Sequence, residues 1–108
     1  MSAMDERKVV ISTRGGRTTC DPLFAESWTD FDRIAAILQR DFGAKTKNAF
    51  DGPDARRWIF QTQDGTIELQ YDDMGGNIVI SMEPGTDALV ERIGRSLEQA
   101  LRVAPEAS

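Results

Sequence analysis

Between Arg56 and Glu83, apolar and polar residues alternate in three short runs separated by turn signals, the period of half-buried β-strands. Asp64-Gly65 and Gly75-Gly76 read as two tight hairpin turns. Folding there sets Thr62 against Ile67, Phe60 against Leu69 and Trp58 against Tyr71, then Tyr71 against Ile80 and Leu69 against Met82. This register predicts one apolar face of Trp58, Phe60, Ile67, Leu69, Tyr71, Ile78, Ile80 and Met82. The other face carries Arg57, Gln61, Glu68, Gln70, Asp72 and Ser81, with Ile59 and Val79 among them. A slip of one residue would turn a whole apolar set toward water.

Upstream, Lys8 to Thr13 alternates as a further strand, broken by Arg14-Gly15-Gly16-Arg17. Thr18 to Cys20 can return as a short partner strand, which sets Arg14 opposite Arg17. From Thr29 to Phe42 the period becomes helical, with Phe31, Ile34, Ala35, Leu38 and Phe42 on one stripe. Ser27 followed by Asp30, or Thr29 followed by acids in the first turn, offers an N-cap, and Gly43 a left-handed C′ position. Ala44 to Phe50 reads as a weakly alternating strand, followed by the turn Asp51-Gly52-Pro53-Asp54. Thr86 begins a second helix running to about Val103, with a stripe of Val90, Ile93, Leu97 and Leu101.

The expected fold is therefore α+β: an antiparallel sheet of four to five strands in the order β-α-β-β-β-β-α, with both helices on one face. The 108 residues form one such domain, residues 1–7 and 104–108 being expected to fray. A sheet covered on one side leaves its other face wet or available to a partner.

Composition narrows the chemistry. With no histidine and a single cysteine, Cys20, the chain lacks a Ser–His or Cys–His nucleophile pair, a Cys/His zinc site and an internal disulfide. No apolar run approaches the ~20 residues of a membrane span. No secretory signal is visible, and a cytoplasmic protein of bacterial type is expected. The formal net charge of −5 disfavours nucleic acid, whose phosphates are bound mainly through Lys and Arg. The acidity is concentrated in residues 59–86, which hold Asp64, Glu68, Asp72, Asp73 and Glu83 and no base.

No catalytic, metal or cofactor residue is assigned. In the expected register Asp72 lies opposite Arg57 as a cross-strand ion pair, and Glu68 faces Glu83. Arg57, Glu68, Asp72, Asp73 and Glu83 are candidates for a partner-binding surface. Trp28, just before the first helix, is either a staple against that helix or an exposed anchor. The expected function is that of a non-enzymatic module binding another protein, one version being an immunity-type inhibitor of a basic partner. A homodimer pairing sheet faces would use the same residues. A small-ligand or regulatory domain with a pocket between helices and sheet is the alternative, and an enzyme built on carboxylates the third reading.

Overall fold

The computed structural model describes residues 9–22, 25–83 and 85–103, and the termini expected to fray, 1–7 and 104–108, lie outside them. The chain runs β1 (Val9–Arg14), β2 (Arg17–Pro22), α1 (Trp28–Phe42), β3 (Lys45–Asp51), β4 (Ala55–Thr62), β5 (Gly65–Asp72), β6 (Gly76–Ser81) and α2 (Asp87–Val103). The strands make one antiparallel sheet of six, ordered β1-β2-β6-β5-β4-β3. The α+β class holds, and the four to five expected strands become six. Both the return strand after Gly15-Gly16 and the weakly alternating strand after Gly43 form, with Arg14 opposite Arg17.

α1 starts in a capping box. The Ser27 Oγ accepts the Asp30 amide at 3.1 Å, while the Ser27 amide donates to Asp30 Oδ2 at 3.2 Å. Gly43 ends the helix in the left-handed region, at φ 61°. The stripe of Phe31, Ile34 and Leu38 is fully buried, each such side chain stabilising the fold by about 1.5–3 kcal/mol. α2 contributes Val90, Ile93 and Leu97 to the same core. Against them the sheet presents Cys20, Phe60, Ile67, Leu69 and Val79, so both helices cover one face as expected. Asn77, also on this side, donates its Nδ2 to the carbonyls of Ala25 and Ser27 at 2.9 and 3.0 Å, which ties the entry of α1 to β6.

The register differs from expectation in two ways. The first hairpin turns on Gln63-Asp64, closing at Thr62 and Gly65, so Trp58 meets Leu69 and Phe60 meets Ile67. That shift is even and leaves every side chain on its expected face. Gly65, at φ 132°, follows the turn because a Cβ there would lie 2.3 Å from Thr86 Cγ2. The second hairpin turns on Asp73-Met74-Gly75, closing at Asp72 and Gly76. Asp72 Oδ1 accepts the Met74 amide at 2.8 Å, and Gly76 adopts φ 77°. This shift is odd and inverts β6: Leu69 pairs with Val79, and Glu68 with Ile80. Val79 is therefore core, whereas Ile78 and Ile80 lie on the face away from the helices, contrary to the expected apolar face.

Candidate functional site

Because β6 is inverted, the uncovered face is less polar than the sequence pattern implies. One cross-strand row runs through all six strands: Ser12, Thr19, Ile80, Glu68, Ile59 and Asn48. The next holds Ile78, Gln70, Arg57 and Phe50. Ile59 and Ile80 thus flank Glu68 on both sides, and Arg57 closes over its carboxylate in an ion pair. Glu68 is only 1 % exposed although neither α1 nor α2 lies on this face. Phe50, at the β3 end, is 61 % exposed. A broken apolar stripe, Ile78, Ile80, Ile59 and Phe50, lies among polar residues and the Arg57–Glu68 pair on this face.

A cavity of about 540 Å³ indents this face beside the stripe. Thr19, Gln70, Ile78 and Ile80 line it, with Arg17, Asp21, Asp72 and Met74 around it. Its volume falls in the range of small-molecule sites. The cavity thus lies on the side of the sheet opposite to the pocket expected between helices and sheet.

The expected site residues separate into groups. Arg57 and Glu68 come together, but with each other: Arg57 pairs in register with Gln70 and Glu68 with Ile80, so neither the expected Arg57–Asp72 pair nor the Glu68–Glu83 pair exists. Asp72 reaches the cavity, and Asp73 sits in the adjoining turn. Glu83 is at the opposite end of the sheet, where its Oε1 accepts the Thr66 amide at 3.3 Å. Trp28 is the first residue of α1, on the helical side.

Trp28 belongs to a cluster built around Arg56, a residue the sequence pattern did not single out. The Arg56 guanidinium carbon stands 4.1 Å from the Phe31 ring centroid, 4.8 Å from that of Trp28 and 5.2 Å from that of Trp58. Arg56 is 6 % exposed, and its Nε donates to Asp51 Oδ1 at 2.9 Å while Nη1 lies 3.1 Å from Asp32 Oδ1. The indole of Trp58 donates to the same Asp51 oxygen at 2.9 Å. The Arg56 hydrogen bond, and then that from Trp58, hold the Asp51 carboxyl below its ordinary value. Trp28 packs edge-on to Tyr71 at 5.6 Å and remains exposed on one side. The cation here joins β3, β4 and the start of α1, with its charge balanced and its faces covered. The usable sequence signal is the Arg56 position itself: it shares β4 parity with Trp58 and Phe60, so it had to point inward.

Cys20 faces the core with no exposure. Burial pushes its thiol up to about 12, reinforced by the charges of Asp21 and Glu98, so at neutral pH it carries no thiolate for nucleophilic or redox work. Among the described residues no cluster of three His, Cys, Asp or Glu side chains is arranged to hold a metal ion, and no helix is long and apolar enough to cross a membrane. Comparison with known proteins matched no family model, no curated protein and no solved structure.

Proposed function

We propose that this protein is a non-enzymatic binding module that engages another protein through the uncovered face of its sheet. The observation that carries the reading is the row Ile80–Glu68–Ile59, continued by Ile78 and Phe50 in the next row, on the face away from α1 and α2. Apolar side chains around a buried carboxylate that an exposed arginine neutralises, with polar residues outside them, suit an interface centre. Polar residues surround it: Arg17, Gln70 and Asp72 on one side and Asn48 on the other. The net charge of −5 and the acids Asp72 and Asp73 at one rim favour a basic partner, whose approach they would accelerate. An inhibitor of the immunity type is one protein that needs only such a surface.

A photo-reactive amino acid placed at Ile80 and expressed in the native host tests this. The expected result is one dominant protein adduct, weakened by salt, and none when the same group replaces Arg33 on α1. Adducts from position 33 with none from position 80 would place the interface on the helical side.

The cavity beside Ile78 and Ile80 favours a second reading, in which the same face holds a small polar molecule. Thermal stabilisation by a metabolite fraction that Ile78→Lys abolishes would support it.

A further inference from the structure

The two edges of the sheet are built differently. β3, at one edge, carries Lys45 and Lys47, and its pairing with β4 is interrupted by a register shift between Thr46 and Asn48. Lysines and bulges are the devices by which sheets prevent another strand from adding to an edge. β1, at the other edge, has no lysine and no register shift, and its one charge is Arg14 at its end. Val9 to Thr13 is an uncharged, β-branched-rich run, and its register with β2 is unbroken over all six residues. Val10 is 39 % and Ile11 41 % exposed.

α2 packs down onto this edge at Gly94. A Cβ there would come within 2.9 Å of Ile11 Cδ1 and 3.3 Å of Val9 Cγ1, so the helix approaches β1 closely. Alongside lies a shallow groove of about 200 Å³, lined by Val9, Ile11, Glu91, Gly94, Arg95 and Glu98. The groove has an apolar floor and one wall bearing both signs of charge.

We infer that β1 is a self-association edge, pairing antiparallel with β1 of a second copy across a two-fold axis at Ile11. Such pairing sets Val9 opposite Thr13, Val10 opposite Ser12 and Ile11 opposite itself, which uses the whole uncharged run. A two-fold axis at an antiparallel pair stands perpendicular to the sheet, so residues of like parity meet. Both α2 helices then fall on the same side. Ile11 of each copy packs over the axis between the two grooves. Arg95 of one copy then comes within reach of Glu91 of the other, a self-complementary arrangement that a foreign strand would not match. The joined sheets leave both uncovered faces free, so this contact is independent of the partner-binding surface.

The oligomeric state tests this directly. Light scattering over a concentration series is expected to give twice the 12.0 kDa protomer mass for the wild-type chain. Val10→Lys with Ser12→Lys places like charges directly opposite across the axis, on the side away from α2, and is expected to halve that mass with an unchanged far-ultraviolet spectrum. Ile11→Cys, made together with Cys20→Ala because Cys20 lies opposite Ile11 on β2, is expected to form an intermolecular disulfide on mild oxidation, and Phe50→Cys in the same background, near the other edge, is not. Single-protomer mass for the wild type at every concentration, an undiminished mass in a folded lysine variant, or cross-linking through position 50 instead of 11 would each overturn the inference. Should the lysine variant not fold, the cysteine pair decides alone.

Discussion

Arg57 on β4 closes over the carboxylate of Glu68 on β5, so a side chain 60 % exposed neutralises one that is almost wholly buried. The pair differs from an ordinary surface ion pair because only one partner has access to water. Arg57→Ala leaves a buried carboxylate without compensation and is expected to destabilise the fold by about 3 kcal/mol, well above the cost of truncating an exposed arginine. Arg57→Met with Glu68→Leu, which removes both charges, is expected to recover most of that loss. Urea denaturation of the three chains measures the difference.

On the opposite face, Arg56 binds three elements together. Arg56→Ala removes the contacts with Phe31, Trp28 and Trp58 and opens a cavity, for an expected loss of about 2–4 kcal/mol. Arg56→Lys keeps the charge but not the planar group lying over the rings, and is expected to recover less than half of the loss. Thermal melts of the two variants check this.

The same cluster predicts an acid response. The hydrogen bond from Arg56, then that from Trp58, holds Asp51 below the ordinary carboxylate value of 3.8. A carboxyl depressed in the folded state contributes stability that is complete above its unfolded pKa and disappears as the pH falls through its folded one. Wild type is therefore expected to lose stability relative to Asp51→Asn as the pH falls below about 3.8, and to show a constant difference at neutral pH. Denaturation midpoints at a series of pH values give the comparison.

Cys20 gives the opposite sign at the alkaline end. Its thiol rises from 9.0 to about 12 on folding, first through burial and then through the charges of Asp21 and Glu98. The folded state holds the proton more tightly, so its contribution is complete below pH 9.0 and is lost as the pH climbs toward 12. Wild type is expected to lose stability relative to Cys20→Ala across that interval. At neutral pH, labelling by a thiol reagent is expected only as fast as the chain unfolds.

The helices and the β4–β5 hairpin were legible because several signals agreed. Ser27, Asp30 and Gly43 mark the ends of α1, and its stripe faces the core. The parity of Trp58, Phe60, Ile67 and Leu69 survives the two-residue shift of the first turn. β6 was not legible, for a physical reason. Its alternation offers three apolar residues at Ile78, Ile80 and Met82 against one at Val79, so hydrophobic count favours the wrong face. Hydrogen bonds accompany the observed face instead: Asn77 Nδ2 donates to the carbonyls of Ala25 and Ser27, and Ser81 Oγ accepts the Thr18 amide at 3.0 Å. Asp72 also closes a three-residue turn that a Gly-Gly reading skips. The expected pairs do not form because Arg57–Asp72 depends on the register of the first hairpin, which is shifted by two residues, and Glu68–Glu83 on that of β6.

Composition of the uncovered face, and with it the proposed interface, rests on the orientation of β6. Introducing lysine at two neighbouring positions of that strand and measuring both melting temperatures tests it most directly. Ile78→Lys is expected to melt within a few degrees of wild type. Val79→Lys, which forces an ammonium into the core, is expected to cost at least about 3–5 kcal/mol and to leave the chain unfolded or barely folded. A folded Val79→Lys beside an unfolded Ile78→Lys would contradict the account.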